Sequence, residues 1–272
     1  MSGEDAGALS DSELASLTAR FGAAGARALA LTGSHARGAA TPLSDVDLLR
    51  FTAIEPTADR ECYRLWLVAG RLVSVTTTTF AAKRAELARP EMALWAVPGL
   101  RQARILYDLD GELAMLTAEA HAFTWTPELR RAAADHVSDT LAGLAEEVHK
   151  LLGALERSDD SATLYAALGL QQGLTRAELV ARGALLTTEN AYYAEALRLA
   201  GPGSRWEQLL RVVIGYDLPP SGKSLARGRG EAALWLYVEV AMQLADALTP
   251  VDSELVAESV ARIRGALAHS DP

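Results

Sequence analysis

Leu31-Thr32-Gly33-Ser34-His35-Ala36-Arg37-Gly38, a short spacer, and then Ser44-Asp45-Val46-Asp47-Leu48-Leu49 is the stretch that decides the fold of this chain. Before it, Arg27-Ala28-Leu29-Ala30-Leu31-Thr32 is a short apolar run that predicts a buried strand. Residues 33–44 carry glycine, proline and serine and predict a loop. Asp45-Val46-Asp47-Leu48-Leu49-Arg50-Phe51 alternates at its start and predicts a second strand. Alternation on such a strand sets Asp45 and Asp47 on one face, about 7 Å apart along the chain.

Outward from this core, Ser10-Asp11-Ser12-Glu13 predicts a helix start, because these side chains accept orphan amide protons, and the helix runs to about Phe21. Tyr63 to Val68, then Ala69-Gly70-Arg71, then Leu72 to Phe80 predicts a hairpin whose second arm is rich in Val and Thr. Ala81 to Ala88 predicts a helix ending before Pro90, Ala103 to Tyr107 a strand, and Glu112 to Ala122 a helix. Thr126-Pro127 pairs a good N-cap with a residue suited to the first helical turn, and marks the domain boundary. The following helix is expected to run to about Leu155, with Ser158-Asp159-Asp160-Ser161 as a turn and new cap. Later helices are expected near 162–183, 188–199, 204–214, 230–248 and 252–268, with Gly201-Pro202-Gly203 and Leu218-Pro219-Pro220-Ser221-Gly222 as separators. The fold class is therefore α+β. A small mixed sheet with helices occupies residues 1–125, and an α-helical bundle occupies residues 126–272.

The chain has 272 residues, half of them hydrophobic, which is globular composition. Its net charge of −9 argues against nucleic acid as a partner, since phosphate neutralisation needs a basic face. The single cysteine, Cys62, can form neither an internal disulfide nor a thiolate metal cage, which fits a reducing cytoplasm. The start Met-Ser-Gly-Glu-Asp is acidic, unlike a signal peptide, and no apolar run approaches the about 18 residues of a membrane span. A cytoplasmic protein without a membrane partner is expected.

The chemistry sits in the opening stretch. A Gly-Ser turn lets backbone amides and a hydroxyl approach phosphates closely. Two carboxylates on one strand face can share divalent cations, and oxygen ligands suit Mg²⁺, which also binds nucleotide phosphates. Such clamps steady the attacking and leaving oxygens of phosphoryl transfer. The bland alternative is a Ser-Asp turn feeding an edge strand, but carboxylates facing inward are costly to bury without a partner.

The string Gly33-Ser34-x-Ala36-Arg37-Gly38, then Ser44-Asp45-x-Asp47-Leu48, resembles the nucleotidyltransferase superfamily typified by DNA polymerase β. The resemblance implies a nucleoside triphosphate substrate, ATP foremost, held at Gly33, Ser34 and Arg37, with Mg²⁺ on Asp45 and Asp47. It also implies a third carboxylate on a later strand. In the second arm of the hairpin, Ser74 stands where that acid is expected, and nothing acidic occurs from Arg71 to Lys83. Asp108 ends the next strand, where a turn-initiating role competes with a ligand role.

The domain order is similar to that of aminoglycoside nucleotidyltransferases of the kanamycin type. That similarity implies a Glu base on the first bundle helix and, four residues on, a Lys directed to the nucleotide. Glu146 and Lys150 match this spacing, and Glu147 is the second choice. Read from residues alone, they belong to the polar face of an amphipathic helix, with Asp135 and Asp139, opposite the stripe Val137, Leu141, Leu144, Val148, Leu151 and Leu155. The implied reaction moves AMP to a hydroxyl of a small cationic acceptor such as an aminoglycoside, in a possible homodimer. The missing third acid keeps open a non-catalytic nucleotide-binding or partner-regulating module.

Other candidates carry less. Gly222-Lys223-Ser224 lacks the upstream glycine and strand of a P-loop. Lys223, Arg227 and Arg229 read as a solvated loop or a basic edge near a triphosphate. His35 reads as a variable position, His149 as half-buried packing, and Trp66, Trp95, Trp125, Trp206 and Trp235 as core.

Overall fold

The computed structural model describes residues 7–23, 25–219 and 222–268. The acidic start at residues 1–6, and Pro220 and Ser221 of the separator, lie outside the described residues. By compactness the chain divides into two units, Met1–Thr124 with Leu185–Thr188, and Trp125–Ala184 with Glu189–Pro272. The segment 185–188 joins the first unit, where Leu186 N donates to Leu94 O.

The first unit is built on a five-stranded mixed sheet. Its strands are β1 (Ala26–Thr32), β2 (Val46–Thr52), β3 (Tyr63–Val68), β4 (Arg71–Thr78) and β5 (Arg104–Asp108), in spatial order β3-β4-β2-β1-β5. β1 is antiparallel to β2 and β5, β3 is antiparallel to β4, and β2 runs parallel to β4. The β3–β4 turn, Ala69-Gly70, has positive φ at both residues, as a type I′ hairpin requires.

Each sheet face carries its own core. α1 (Asp11–Phe21) is held at its start by a reciprocal capping box between Ser10 and Glu13. It buries Leu14, Leu17 and Phe21 against Leu29, Leu31, Val46, Leu48, Val73 and Val75. α2 (Gly33–Ala36) and α3 (Asp59–Cys62) are single turns. On the opposite face, α4 (Phe80–Leu87), α5 (Pro90–Arg101) and α6 (Glu112–Ala122) place Phe80, Leu100, Leu113 and Leu116 over Ala28, Ala30, Leu49 and Phe51. Phe51 and Phe80 stack with centroids 4.3 Å apart. Each such fully buried side chain contributes roughly 1.5–3 kcal/mol. The sequence periodicity does not assign α5. Pro90 sits in its first turn, where a missing N–H costs nothing, and Pro98 lies inside it.

The second unit is helical. α7 (Pro127–Gly143) starts at the N-cap Thr126, whose side chain accepts from Leu129 N. The expected single helix to Leu155 is two, α7 and α8 (Ala145–Glu156), interrupted at Leu144. Gly143 weakens the helix there, and the Leu144 side chain lies over Gly173. The apolar spacing continues unchanged across the break, so periodicity carries no sign of it. α9 (Asp160–Ala181), capped by Asp159, packs against α7, α8 and the later α12 (Leu225–Gln243). α10 (Tyr192–Ala200), α11 (Arg205–Ile214), α12 (Leu225–Gln243) and α13 (Pro250–Ala266) complete the unit. α12 starts five residues before its expected position of 230, at the cap Ser224. Gly228 and Gly230 sit where a side chain would meet Pro219 and Thr163. Of the tryptophans expected in the core, Trp206 is fully buried and the other four are half-buried. No helix among the described residues is long and apolar enough to cross a membrane.

Candidate active site

β1 leads directly into the glycine turn. Gly33 adopts φ +64°, a left-handed conformation that glycine takes at no steric cost. The predicted loop therefore begins as one helical turn, α2, whose N-cap Thr32 makes no side-chain capping bond. Thr32 pairs with Asp47 across β1 and β2, and this register brings the Asp47 carboxylate against Gly33.

Asp45 departs from expectation. It precedes β2, which begins at Val46, so strand alternation does not set its direction. The two carboxylates are nevertheless close enough to interact. Burial, foremost, and the Asp45 charge push the Asp47 carboxyl above its ordinary value; a hydrogen bond from Ser74 and the nearby His35 and Arg37 oppose the rise. Arg37 is half-buried and donates from Nη1 to Thr187 O at 3.2 Å and to Gln102 Oε1 at 3.4 Å. His35, expected to be a variable position, has a buried Nε2 with no hydrogen-bond partner and lies within electrostatic reach of Asp47.

Ser74 faces the same site. β4 pairs with β2 in parallel register, Asp47 opposite Ser74, and Ser74 Oγ donates to Asp47 Oδ1 at 2.7 Å. Asp108 takes the turn role: its two carboxylate oxygens accept from Leu113 N and Ala114 N at the start of α6. Among the described residues no group of three His, Cys, Asp or Glu side chains is arranged to hold a metal.

In the helical unit, Glu146 is 74% exposed and pairs with Lys150 at 2.9 Å. Lys150 also pairs with Glu147 at 2.7 Å. The hydrogen bond and charge of Lys150 hold the Glu146 carboxyl below its usual range, and the two carboxylates raise the Lys150 ammonium. Glu147 is better buried, and its Oε2 is enclosed without a hydrogen-bond partner. His149, expected to be half-buried, is exposed, as are Asp135 and Asp139. Arg227, read as part of a solvated loop or basic edge, lies in the first turn of α12, and both it and Lys223 pair with Glu231, which is 3% exposed.

Sequence reasoning missed His35 as a neighbour of Asp47 and Ser74 as its hydrogen-bond donor. The local signal for Ser74 is its position between Val73 and Val75, which fixes its face on β4. The pairing of β4 with β2 has no local signal.

No curated protein matches the chain. The crystal structure of a nucleotidyltransferase-like protein from Exiguobacterium sibiricum 255-15 is similar over 93% of this chain and 83% of that chain, with 15% sequence identity and a TM-score of 0.49. Residues 19–80 match the family model of the nucleotidyltransferase domain. That span runs from the end of α1 through β4 and holds Gly33, Asp45, Asp47 and Ser74, so this N-terminal stretch of the α+β chain is similar to a nucleotidyltransferase domain.

Proposed function

We propose that the chain transfers a nucleoside monophosphate, AMP from ATP, to a hydroxyl of a small cationic acceptor of the aminoglycoside class, with Mg²⁺. The observation that supports this most is the meeting of Gly33 and Asp47, with Asp45 beside them, inside the stretch that matches the nucleotidyltransferase domain. The donor set suits a hard divalent cation, since burial and the Asp45 charge both work against an ionised Asp47 and a positive charge offsets both. Asp45 and Asp47 would hold Mg²⁺, which when bound supplies charge neutralisation at the transferring phosphoryl group.

Gly33 and Ser34 let the phosphates approach the backbone, and Arg37 offsets charge on the departing pyrophosphate. Glu146 accepts the proton of the acceptor hydroxyl and Lys150 serves the nucleotide, an assignment that rests on the resemblance to the kanamycin type, whose Glu-Lys spacing they match. The ion pair with Lys150 holds the Glu146 carboxyl below its ordinary range. The net charge of −9 favours a cationic acceptor over a nucleic acid.

The test is pyrophosphate release from ATP and, in parallel, from the other nucleoside triphosphates, with Mg²⁺ and a panel of aminocyclitols. Release that depends on both acceptor and Asp47 is expected; no release with any pair sinks the proposal. Ser74 in place of an acid favours a second reading, a module that binds nucleotide without transferring it. Tight Mg²⁺-ATP binding with every acceptor left unmodified would select that reading.

A further inference from the structure

We propose that Ser74 is a positioning residue that makes this a site for one divalent cation rather than two. The inference rests on the reading above, in which Asp45 and Asp47 are the cation ligands.

The parallel pairing of β2 and β4 sets Asp47 opposite Ser74, so both side chains rise from the same sheet face. Ser74 is 4% exposed, and its single hydroxyl proton goes to Asp47 Oδ1 at 2.7 Å. The other oxygen, Oδ2, lies beside Gly33. One oxygen is thereby anchored and the carboxylate plane is set. An acid at residue 74 would instead add a third negative charge at this place.

Among the described residues, the strand neighbours of Ser74 supply no replacement. The neighbours of Ser74 on the same face of β4 are Leu72 and Thr76, and its partner on β3 is Leu65, all uncharged. Asp108 is committed to the amides of α6. Two carboxylates balance one divalent cation. Mg²⁺ is commonly held by one or two carboxylates with substrate phosphates completing its shell. A second cation would find no carboxylate of its own. Groups that orient a metal ligand through a hydrogen bond typically govern about 10–100-fold in metal affinity.

The experiment is a Mn²⁺ titration of the full chain with a non-hydrolysable ATP analogue, following free Mn²⁺ by electron paramagnetic resonance, with thermal melts to establish folding. The wild type is expected to bind one Mn²⁺ per chain. Ser74→Ala should keep that stoichiometry but bind about 10-fold more weakly. Ser74→Thr, which retains the hydroxyl, should restore wild-type affinity, and Ser74→Asp should bind two. Two Mn²⁺ in the wild type, or Ser74→Ala binding as tightly as wild type, overturns the role of Ser74. Mn²⁺ binding that Asp47→Asn leaves unchanged overturns the two-carboxylate reading itself.

Discussion

Gly33 and Asp47 occupy space that only a glycine leaves open: a Cβ at residue 33 would overlap the Asp47 carboxylate. The same residue sits at φ +64°, so a side chain there is strained as well as obstructed. Gly33→Ala is expected to lower turnover by about 100-fold or more, because the carboxylate must move from the position its neighbours set. The backbone strain adds roughly 1–3 kcal/mol of destabilisation. Steady-state pyrophosphate release and a thermal melt measure the two effects separately.

Asp47 carries a cost that a bound cation would offset. Burial, and then the Asp45 charge, raise its carboxyl pKa in the folded protein. A raised acid is fully compatible with folding below its unfolded pKa, about 3.9 for an aspartate, and loses stability as pH climbs through the folded value. Without metal, Asp47→Asn should therefore melt higher than wild type at pH 8, by about 2–4 °C, with the difference vanishing near pH 4. Its pyrophosphate release should fall about 100- to 1000-fold. A variant that loses activity and stability together at pH 8 contradicts this account.

Glu146 and Lys150 divide by kinetic signature. Loss of a general base lowers kcat by about 10²–10⁴-fold, which is the expectation for Glu146→Gln with nucleotide affinity preserved. Lys150→Met should raise KM for the nucleotide instead. Glu147→Gln is the control. If that variant loses turnover while Glu146→Gln does not, the base is Glu147, whose second oxygen is enclosed and free of hydrogen bonds.

Ser138 clips two helices of the second unit together. Its fully buried hydroxyl donates to Asp252 Oδ2 at 2.5 Å and accepts from Thr249 N at 2.8 Å, joining α7 to the start of α13. The hydroxyl of Ser138, first, and then that of Thr249, which donates to the same Oδ2 at 2.7 Å, hold the Asp252 carboxyl below its ordinary value. Ser138→Ala removes the acceptor of the Thr249 amide and one of the two hydroxyl bonds to Asp252 Oδ2, at a cost of about 1–3 kcal/mol. Differential scanning calorimetry should show a fall of about 4–8 °C, with pyrophosphate release unchanged at low temperature.

The elements of this chain were legible where their causes are local. Ser10 with Glu13, Thr126 with Pro127 and Asp159 each announce a helix start through side chains within a turn of the amides they serve. The hairpin of β3 and β4 is written in its Val- and Thr-rich second arm and its Ala69-Gly70 turn. Where a distant partner decides, the pattern failed. The expected start near 230 misses the first turn of α12, where Gly228 and Gly230 accommodate Pro219 and Thr163 from other parts of the chain. The break at Leu144 preserves the helical spacing and leaves no periodic trace.

The candidate site divides in the same way. The sequence by itself determined that Gly33, Ser34, Asp45 and Asp47 lie in one strand-turn-strand unit, because these residues are close along the chain and their types restrict the backbone. It also determined that the second arm of the hairpin brings a serine, not an acid. Only the tertiary structure decided that Ser74 donates to Asp47, that His35 lies within its field, and that Asp108 caps α6. Those relations depend on which strands pair and in what register. Pairing is set by the burial of two apolar sheet faces at once, a property of the assembled core that no short window of sequence contains.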